Sequence, residues 1–162
     1  MAAHYIASSD IHVGGGIYRS MQSKYNKRHK VYADVAIDII KKALPILEKE
    51  LDLPDKLNIR VASIKGRIAG WYVNGSNLAI IDYVRFSKRG ILETLCHELV
   101  HAEQYKQGRL ASKYDNGSYV QTWNGKPVHE SYRNRPHEIE ARERQVKLAD
   151  KVVEVLGSKF LA

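Results

Sequence analysis

The sequence predicts a small α+β domain in which a mixed or antiparallel sheet of about three strands, plus a hairpin, packs on three helices. Apolar residues recur at helical spacing in three stretches, residues 32–51, 91–105 and 136–156. Between the first two stretches, apolar and polar residues alternate as in half-buried strands, and an Asn74-Gly75 pair indicates a hairpin turn. A chain of 162 residues has the length of one domain with its own core.

The first 30 residues are predicted to form an irregular basic arm, followed by a single domain over residues 31–162. Gly14-Gly15-Gly16 interrupts regular structure, and the stretch after it lacks clear periodicity. Lys and Arg number 26 against 18 Asp and Glu, which gives a net charge of +8. Part of this excess lies in the arm, at Arg19, Lys24, Lys27, Arg28 and Lys30. The excess is compatible with an acidic partner such as nucleic acid, although a solvated basic arm is the commoner explanation for such a charge balance.

The elements of the domain follow in order. A scaffold helix is expected over residues 32–51, kinked or split at Pro45. Strands are expected at 57–64, 67–73 and 78–86. After the second helix, which Gly108 can end, strands at 118–123 and 128–132 form a second hairpin or a lid. The last helix spans 136–156, with Pro136 at its start and Gly157 at its end.

The second helix carries the motif His97-Glu98-Leu99-Val100-His101. Two histidines four positions apart lie one turn apart on one face, so both imidazoles can reach a single metal ion, with Glu98 beside it. The alternative is a surface helix whose polar side chains are merely solvated. Apolar residues at Leu95 and Ala102 argue against it, because they keep this part of the helix against a core.

A catalytic zinc site commonly has three protein ligands, so a third must come from elsewhere in the chain. In the last helix, Glu138 shares a face with Ala141 and Leu148, whereas Glu140 shares a charged face with Glu143. A carboxylate on an apolar face needs a partner or a metal, which favours Glu138. Its alternative role is to interact with the helix dipole in an exposed first turn. The other candidate ligands are His137, Glu140, His129 and Glu130, whereas His4, His12 and His29 of the arm are expected to face solvent.

Cys96 is the only cysteine, which excludes an internal disulfide and a cysteine-based zinc cluster. Beside His97 in an apolar helix, it is expected to be a small buried side chain. The first ten residues lack the pattern of a secretory signal, and no continuous apolar stretch has the length of a membrane span. We therefore expect a cytosolic protein without a membrane segment, located in the host cytoplasm if the protein is viral.

These motifs resemble those of the minigluzincins, compact zinc metallopeptidases of the gluzincin type. The matching segments are His97-Glu98-Leu99-Val100-His101, the Ala102-Glu103-Gln104 that follows it, and residues 136–142, Pro-His-Glu-Ile-Glu-Ala-Arg. Small phage-encoded and SprT-like predicted metallopeptidases look similar. The resemblance covers about residues 32–156 and implies a zincin-like fold with Glu138 as the third ligand. In the SprT-like enzymes the third ligand is a histidine, which keeps His137 as an alternative.

The resemblance implies a zinc-dependent endopeptidase acting on a protein or peptide substrate. Zn²⁺ held by His97, His101 and Glu138 would activate water, and Glu98 would act as general base. A donor for the oxyanion would come from Tyr132, which we favour, or from Tyr119, Arg133 or His129. Strand 78–86 is the expected edge for an extended substrate, and its alternative role is that of an ordinary strand in the core sheet. The alternative function is a basic module that binds nucleic acid or protein and has a structural or vestigial zinc site.

Overall fold

The computed structural model describes residues 10–12, 27–64, 67–84 and 87–162, with residues 10–12 and 27–30 described by their backbone alone. It is an α+β fold, as expected. The elements, in chain order, are β1 (Asp10–His12), α1 (Lys27–Glu50), β2 (Asn58–Ala62), β3 (Gly70–Val73), β4 (Leu78–Asp82), α2 (Lys88–Lys106), β5 (Leu110–Asp115), β6 (Ser118–Trp123), β7 (Lys126–Pro127) and α3 (Pro136–Leu156). Short 3₁₀ turns lie at Asn74–Ser76, Tyr132–Asn134 and Ser158–Leu161.

The first sheet has the strand order β1-β2-β4-β3, with β2 and β4 parallel and the other pairs antiparallel. The stretch 78–86 was expected to be an edge strand, and this expectation is wrong. Its regular part, β4, lies between β2 and β3, and four of its five residues are buried. The hairpin folds β3 onto the outer side of β4, so β3 is the edge strand on this side of the sheet.

Two local features differ from the sequence expectations. Residues 10–12, expected to be irregular, pair with β2 as a short strand. The predicted hairpin between β3 and β4 is confirmed, but its turn is a 3₁₀ turn that ends at Asn77 rather than a two-residue Asn-Gly turn. Asn77 adopts a left-handed conformation with φ of 47°, and its carbonyl accepts a hydrogen bond from the Asn58 amide at 2.8 Å.

The second sheet consists of β5, β6 and β7, each antiparallel to the next. For the second hairpin, the predicted partner of β6 is wrong. Residues 110–115, and not 128–132, pair with β6 along its whole length. The turn between β5 and β6 is Asn116-Gly117, and both residues have positive φ, as a tight two-residue hairpin requires. Most of this ribbon is exposed on both faces, and Tyr114 and Tyr119 contact each other near its end.

The three predicted helices are present. Helix α1 continues through Pro45 without being split, and α3 has the predicted bounds. Ser87 caps α2, its hydroxyl accepting a hydrogen bond from the Gly90 amide at 3.1 Å, and Gly108 follows the helix with φ of 67°. Among the described residues, no helix combines the length and the apolar composition needed to cross a bilayer.

Helix α2 lies at the centre of the core. Its apolar side chains from Ile91 to Ala102 are almost fully buried, and α1, α3 and β4 pack around it. Cys96 is buried, as predicted, and burial raises the pKa of its thiol to about 12. Ala141 of α3 has no exposed surface, and its small side chain lets α2 and α3 approach closely.

An ion-pair network also joins α2 to α3. The buried carboxylate of Glu103 accepts hydrogen bonds from Arg144 and from the Asp52 amide. The Glu140 carboxylate lies 2.5 Å from Arg109 and 3.0 Å from Arg144. Glu140 was expected to face water, but its side chain is half-buried and forms ion pairs with two arginines. The network fixes the first turns of α3 against the C-terminal half of α2.

Glu140→Gln is expected to lower the free energy of unfolding by about 1 kcal/mol at neutral pH. Burial by itself raises the pKa of Glu140, but the hydrogen bonds from Arg109 and Arg144 outweigh it and hold the pKa below its ordinary value of 4.5. The stabilisation is therefore present above that value and is lost as the pH falls through the lower folded-state pKa. Urea unfolding at several pH values, with exposed Glu143→Gln as control, measures this. A difference between the variant and the wild type that grows in acid would contradict it.

Candidate metal centre

The two motif histidines converge as their spacing predicts. His97 and His101 project from the same face of α2, and their rings meet edge to face with centroids 4.7 Å apart. Their Nε2 atoms lie 3.1 Å from each other. Both side chains are largely buried, so the two nitrogens face a shielded site rather than bulk solvent.

Glu138, in the first turn of α3, completes the cluster. Its Oε2 lies 3.3 Å from His97 Nε2, and its Oε1 lies 3.4 Å from His101 Nε2. The side chain is only 8% exposed, so the alternative of an exposed first-turn carboxylate does not hold. The three residues each offer one ligand atom, and these atoms all lie within 4.8 Å of one another.

Two glutamines determine which ring nitrogen of each histidine carries the proton. Gln145 Oε1 lies 2.8 Å from His97 Nδ1, and Gln104 Oε1 lies 2.8 Å from His101 Nδ1. Gln104 also donates from its Nε2 to the His137 carbonyl at 3.1 Å, which fixes the orientation of its amide. Because an amide oxygen only accepts, each Nδ1 is the donor, and each neutral imidazole presents an unprotonated Nε2 to the cluster.

This arrangement fits a metal ion. Two imidazole lone pairs and a carboxylate face one another, and Glu138 Oε2 is buried without a hydrogen-bond partner. A single proton could bridge one pair of these atoms, whereas one cation contacts all three. The two Nε2 atoms lie 3.1 Å apart, and each lies 3.3–3.4 Å from one of the two Glu138 carboxylate oxygens. These separations are close to the edge, about 3.3–3.4 Å, of a tetrahedron with metal–ligand bonds of about 2.0–2.1 Å. The group could therefore hold a metal ion.

The charge state of Glu138 suits a ligand. Burial by itself raises the pKa of this carboxyl, but the adjacent polar side chains of His101 and His97 outweigh burial and hold the pKa well below its usual range. Glu138 is therefore a carboxylate at neutral pH.

Glu98 lies beside the cluster in a different electrostatic environment. The pKa of its carboxyl is raised to about 7, chiefly by burial; His97 opposes this shift, and the Glu138 charge adds to it. A carboxyl with this pKa can both accept and release a proton near neutral pH. Its position depends on Gly70 of β3, because a Cβ at Gly70 would lie 2.7 Å from Glu98 Oε1 and from Thr94 Cγ2.

The cluster opens onto a cleft of about 910 Å³ between β3 and the first turns of α3. Tyr132, favoured above as an oxyanion donor, lines this cleft with its side chain 58% exposed. Partial burial and the nearby Glu138 and Glu98 carboxylates raise the pKa of Tyr132 to about 12. Its hydroxyl therefore stays protonated and can donate a hydrogen bond.

His137 is buried next to the cluster but outside the group of three ligand atoms. Its Nε2 lies 3.9 Å from Glu138 Oε1, and its ring lies between those of His101 and Trp123. Burial lowers the pKa of His137 to about 4, so the imidazole is neutral. Its Nδ1 has no hydrogen-bond partner among the described residues.

The remaining candidates lie away from the cluster. Glu140 is held by Arg109 and Arg144, and His129 and Glu130 are exposed in the loop before α3. Tyr119 is 81% exposed near the end of the β5–β6 ribbon. The exposed Arg133 contributes its carbonyl to a hydrogen bond from Arg142. The side chains of His4, His12 and His29, and the basic residues of the arm, lie outside the described residues.

Sequence reasoning did not assign roles to Gln104 and Gln145. Gln145 lies seven residues after Glu138, two turns along the same face of α3, and Gln104 lies one turn after His101. The spacing therefore contained a signal that these glutamines contact the histidines, because each is a polar side chain on an otherwise apolar helix face. Metal-binding histidines commonly donate their second nitrogen to such a partner.

Comparisons of the chain with models of protein families, with curated proteins and with solved structures gave no match.

Proposed function

We propose that the protein is a zinc-dependent peptidase, most simply an endopeptidase, with His97, His101 and Glu138 as ligands and Glu98 as general base. One observation carries the proposal: the ligand atoms of His97, His101 and Glu138 lie within 4.8 Å of one another, and the Glu98 carboxyl lies beside them with its pKa raised to about 7. Two imidazoles and one carboxylate are a common ligand set of catalytic zinc sites. The proposal also agrees with the resemblance of the two motifs to those of the minigluzincins.

The presence of Glu98 distinguishes a catalytic from a structural site. A structural zinc is usually closed by four protein ligands, whereas this cluster offers three and opens onto a cleft. Glu98 is buried and lines that cleft. A buried carboxyl with a raised pKa destabilises the fold, so its place in a cleft favours a functional role.

The bound zinc would lower the pKa of a water ligand to about 7 and polarise the scissile carbonyl. Glu98 would take the proton of the attacking water on its carboxylate and deliver it to the nitrogen of the leaving amine. The Tyr132 hydroxyl, which lines the same cleft, is the candidate to donate a hydrogen bond to the developing oxyanion. Gln104 and Gln145 would keep both imidazoles in the tautomer that the ligand role requires.

The cleft also offers a backbone edge to a substrate. Within the described residues, β3 pairs with β4 on one side only, and residues 67–72 line the cleft. Unpaired N–H and C=O groups of an edge strand can bind an extended peptide by adding it to the sheet. The substrate edge expected at 78–86 is thus reassigned to β3.

The test is metal removal. We expect the purified chain to bind one zinc ion and to cleave an unstructured protein. A chelator should stop cleavage, and added zinc should restore it. Because the packing of α2 on α3 and the Glu103–Arg144 contact do not involve the metal, far-ultraviolet circular dichroism should change little on chelation.

Two outcomes would count against the proposal. Cleavage that survives complete metal removal would exclude a zinc peptidase. Bound zinc without any cleavage, together with a salt-sensitive shift of DNA at physiological ionic strength, would favour the basic binding module instead.

A further inference from the structure

The cleft beside the metal centre is lined by arginine side chains that are neither candidate metal ligands nor paired with carboxylates among the described residues. Three guanidinium groups belong to its lining: Arg67 before β3, Arg135 at the start of α3 and Arg142 two turns later. The ion-paired arginines of the α2–α3 network, in contrast, do not line it. The positive lining is therefore separate from the charges that stabilise the fold.

The contacts of these arginines are with neutral groups. Arg135 donates to Gln121 Oε1 at 3.1 Å and lies over the Tyr132 ring at 5.8 Å. Arg142 donates to the Arg133 carbonyl. Among the residues that the structure describes, none of the three makes an ion pair with a carboxylate. Each guanidinium has five N–H groups, so most of the donors remain available to a ligand.

The carboxylates of the cleft do not cancel this charge. Glu93 is already paired with Arg89, with 2.7 Å between Glu93 Oε1 and Arg89 Nε. Glu98 and Glu138 together carry at most two negative charges, which a divalent cation held by the cluster would balance. Three positive charges therefore face whatever occupies the cleft.

A peptide suits this cleft better than a nucleic acid does. The cleft borders the unpaired edge of β3, which offers alternating donors and acceptors to an extended polypeptide backbone. Ile68, Trp71 and Tyr132 of the lining are each more than half exposed and provide apolar surface between the charges. A guanidinium binds a carboxylate in a bidentate manner, which adds geometric selectivity to the attraction.

We propose that the cleft selects acidic peptide segments, with Arg135 and Arg142 binding Glu or Asp side chains next to the bond to be cleaved and Arg67 contributing at the outer end. The proposal rests on the proposed function in taking this cleft as the substrate site. It adds the class of substrate, which neither the ligand cluster nor Glu98 specifies.

Binding tests the proposal without requiring cleavage. The probe is a fluorescent ten-residue peptide with three Glu residues around a central apolar pair, and its analogues carry Gln or Lys at the same three positions. Each is titrated with the zinc-supplied Glu98→Gln chain at physiological ionic strength and followed by fluorescence anisotropy. We expect the Glu peptide to bind at least about tenfold more tightly than the Gln peptide and the Lys peptide to bind most weakly.

The variants identify the residues responsible. Adding Arg135→Gln and Arg142→Gln to the Glu98→Gln chain should lower the ratio of affinities for the Glu and Gln peptides by about tenfold. Lys147→Gln removes one positive charge from an exposed position of α3 outside the cleft and should leave the preference unchanged. Zinc content and circular dichroism of each variant show that the fold is retained, and Arg67→Gln provides an independent variant if the double one misfolds.

Three results would overturn the inference: equal affinity for the Glu and Gln peptides, no binding of any peptide, or a thymidine oligonucleotide that binds through the same arginines more tightly than the Glu peptide. Failure of the proposed function is a different result, namely tight, arginine-dependent binding of the Glu peptide with no cleavage by the wild-type chain. The two failures are therefore distinguishable.

Discussion

Glu98→Gln is expected to lower kcat/KM for peptide cleavage by roughly 10²- to 10⁴-fold, the contribution typical of a general base. The amide has the shape of the carboxyl but cannot accept the proton of the attacking water. The metal should stay bound, because His97, His101 and Glu138 are unchanged and Glu98 is not among the three converging ligands. Stability should be equal or higher, because the raised pKa of Glu98 shows that its charged form is disfavoured in the fold.

The measurement compares cleavage of a quenched fluorescent peptide and zinc content for the variant and the wild type. Glu143→Gln, the same substitution at an exposed position of α3, is the control and should retain full activity. Activity within a factor of about ten of wild type in Glu98→Gln would show that another group removes the proton, because a general base contributes about 10² or more. Loss of zinc together with activity would instead mean that Glu98 acts as a ligand.

Gly70→Ala is expected to lower kcat by about 10²-fold without removing the metal. The added methyl group would lie 2.7 Å from Glu98 Oε1, closer than carbon and oxygen atoms approach, so either β3 or Glu98 must move. Glu98 would then no longer be aligned with the water that we propose it deprotonates. The same overlap with Thr94 should cost about 1–3 kcal/mol of stability.

Gly75→Ala is the matched control, because a Cβ at that position meets nothing within 4 Å. It lies in the same hairpin, so it reports any general effect of glycine replacement there. The test reads kcat, zinc content and the thermal midpoint of both variants. Wild-type kcat in Gly70→Ala would show that β3 does not position Glu98.

Much of the site could be predicted because its information is local. The spacing of His97 and His101 determines that both face one side of a helix, whatever that helix packs against. Glu138 could be chosen over Glu140 because one lies on the apolar face of α3 and the other on the charged face. The bounds of α3 also followed from local signals, Pro136 at the first position and Gly157 after the last.

The features that were mispredicted depend on pairing between distant segments. Nothing within 78–86 shows that β2 pairs with one side of β4 while β3 pairs with the other, so local signals could not favour the core-sheet role over the edge role. The exposed sequence of β5 lacks an apolar alternation, and only its pairing with β6 makes it a strand. The half-buried state of Glu140 likewise depends on Arg109, which lies 31 positions away in the chain.

The two glutamine contacts have a bearing on which ions the cluster accepts. Because the glutamines bind Nδ1 of each imidazole, both Nε2 atoms face the cluster. The three side chains therefore offer a metal two nitrogen ligands and one carboxylate. Ca²⁺ takes six to eight oxygens at about 2.3–2.6 Å, and Mg²⁺ favours an octahedron of oxygens, so neither finds its preferred surroundings here. Magnesium is far more abundant in cells than free transition-metal ions. The preference of two imidazoles and one carboxylate for a transition metal such as zinc would therefore keep magnesium from occupying the cluster.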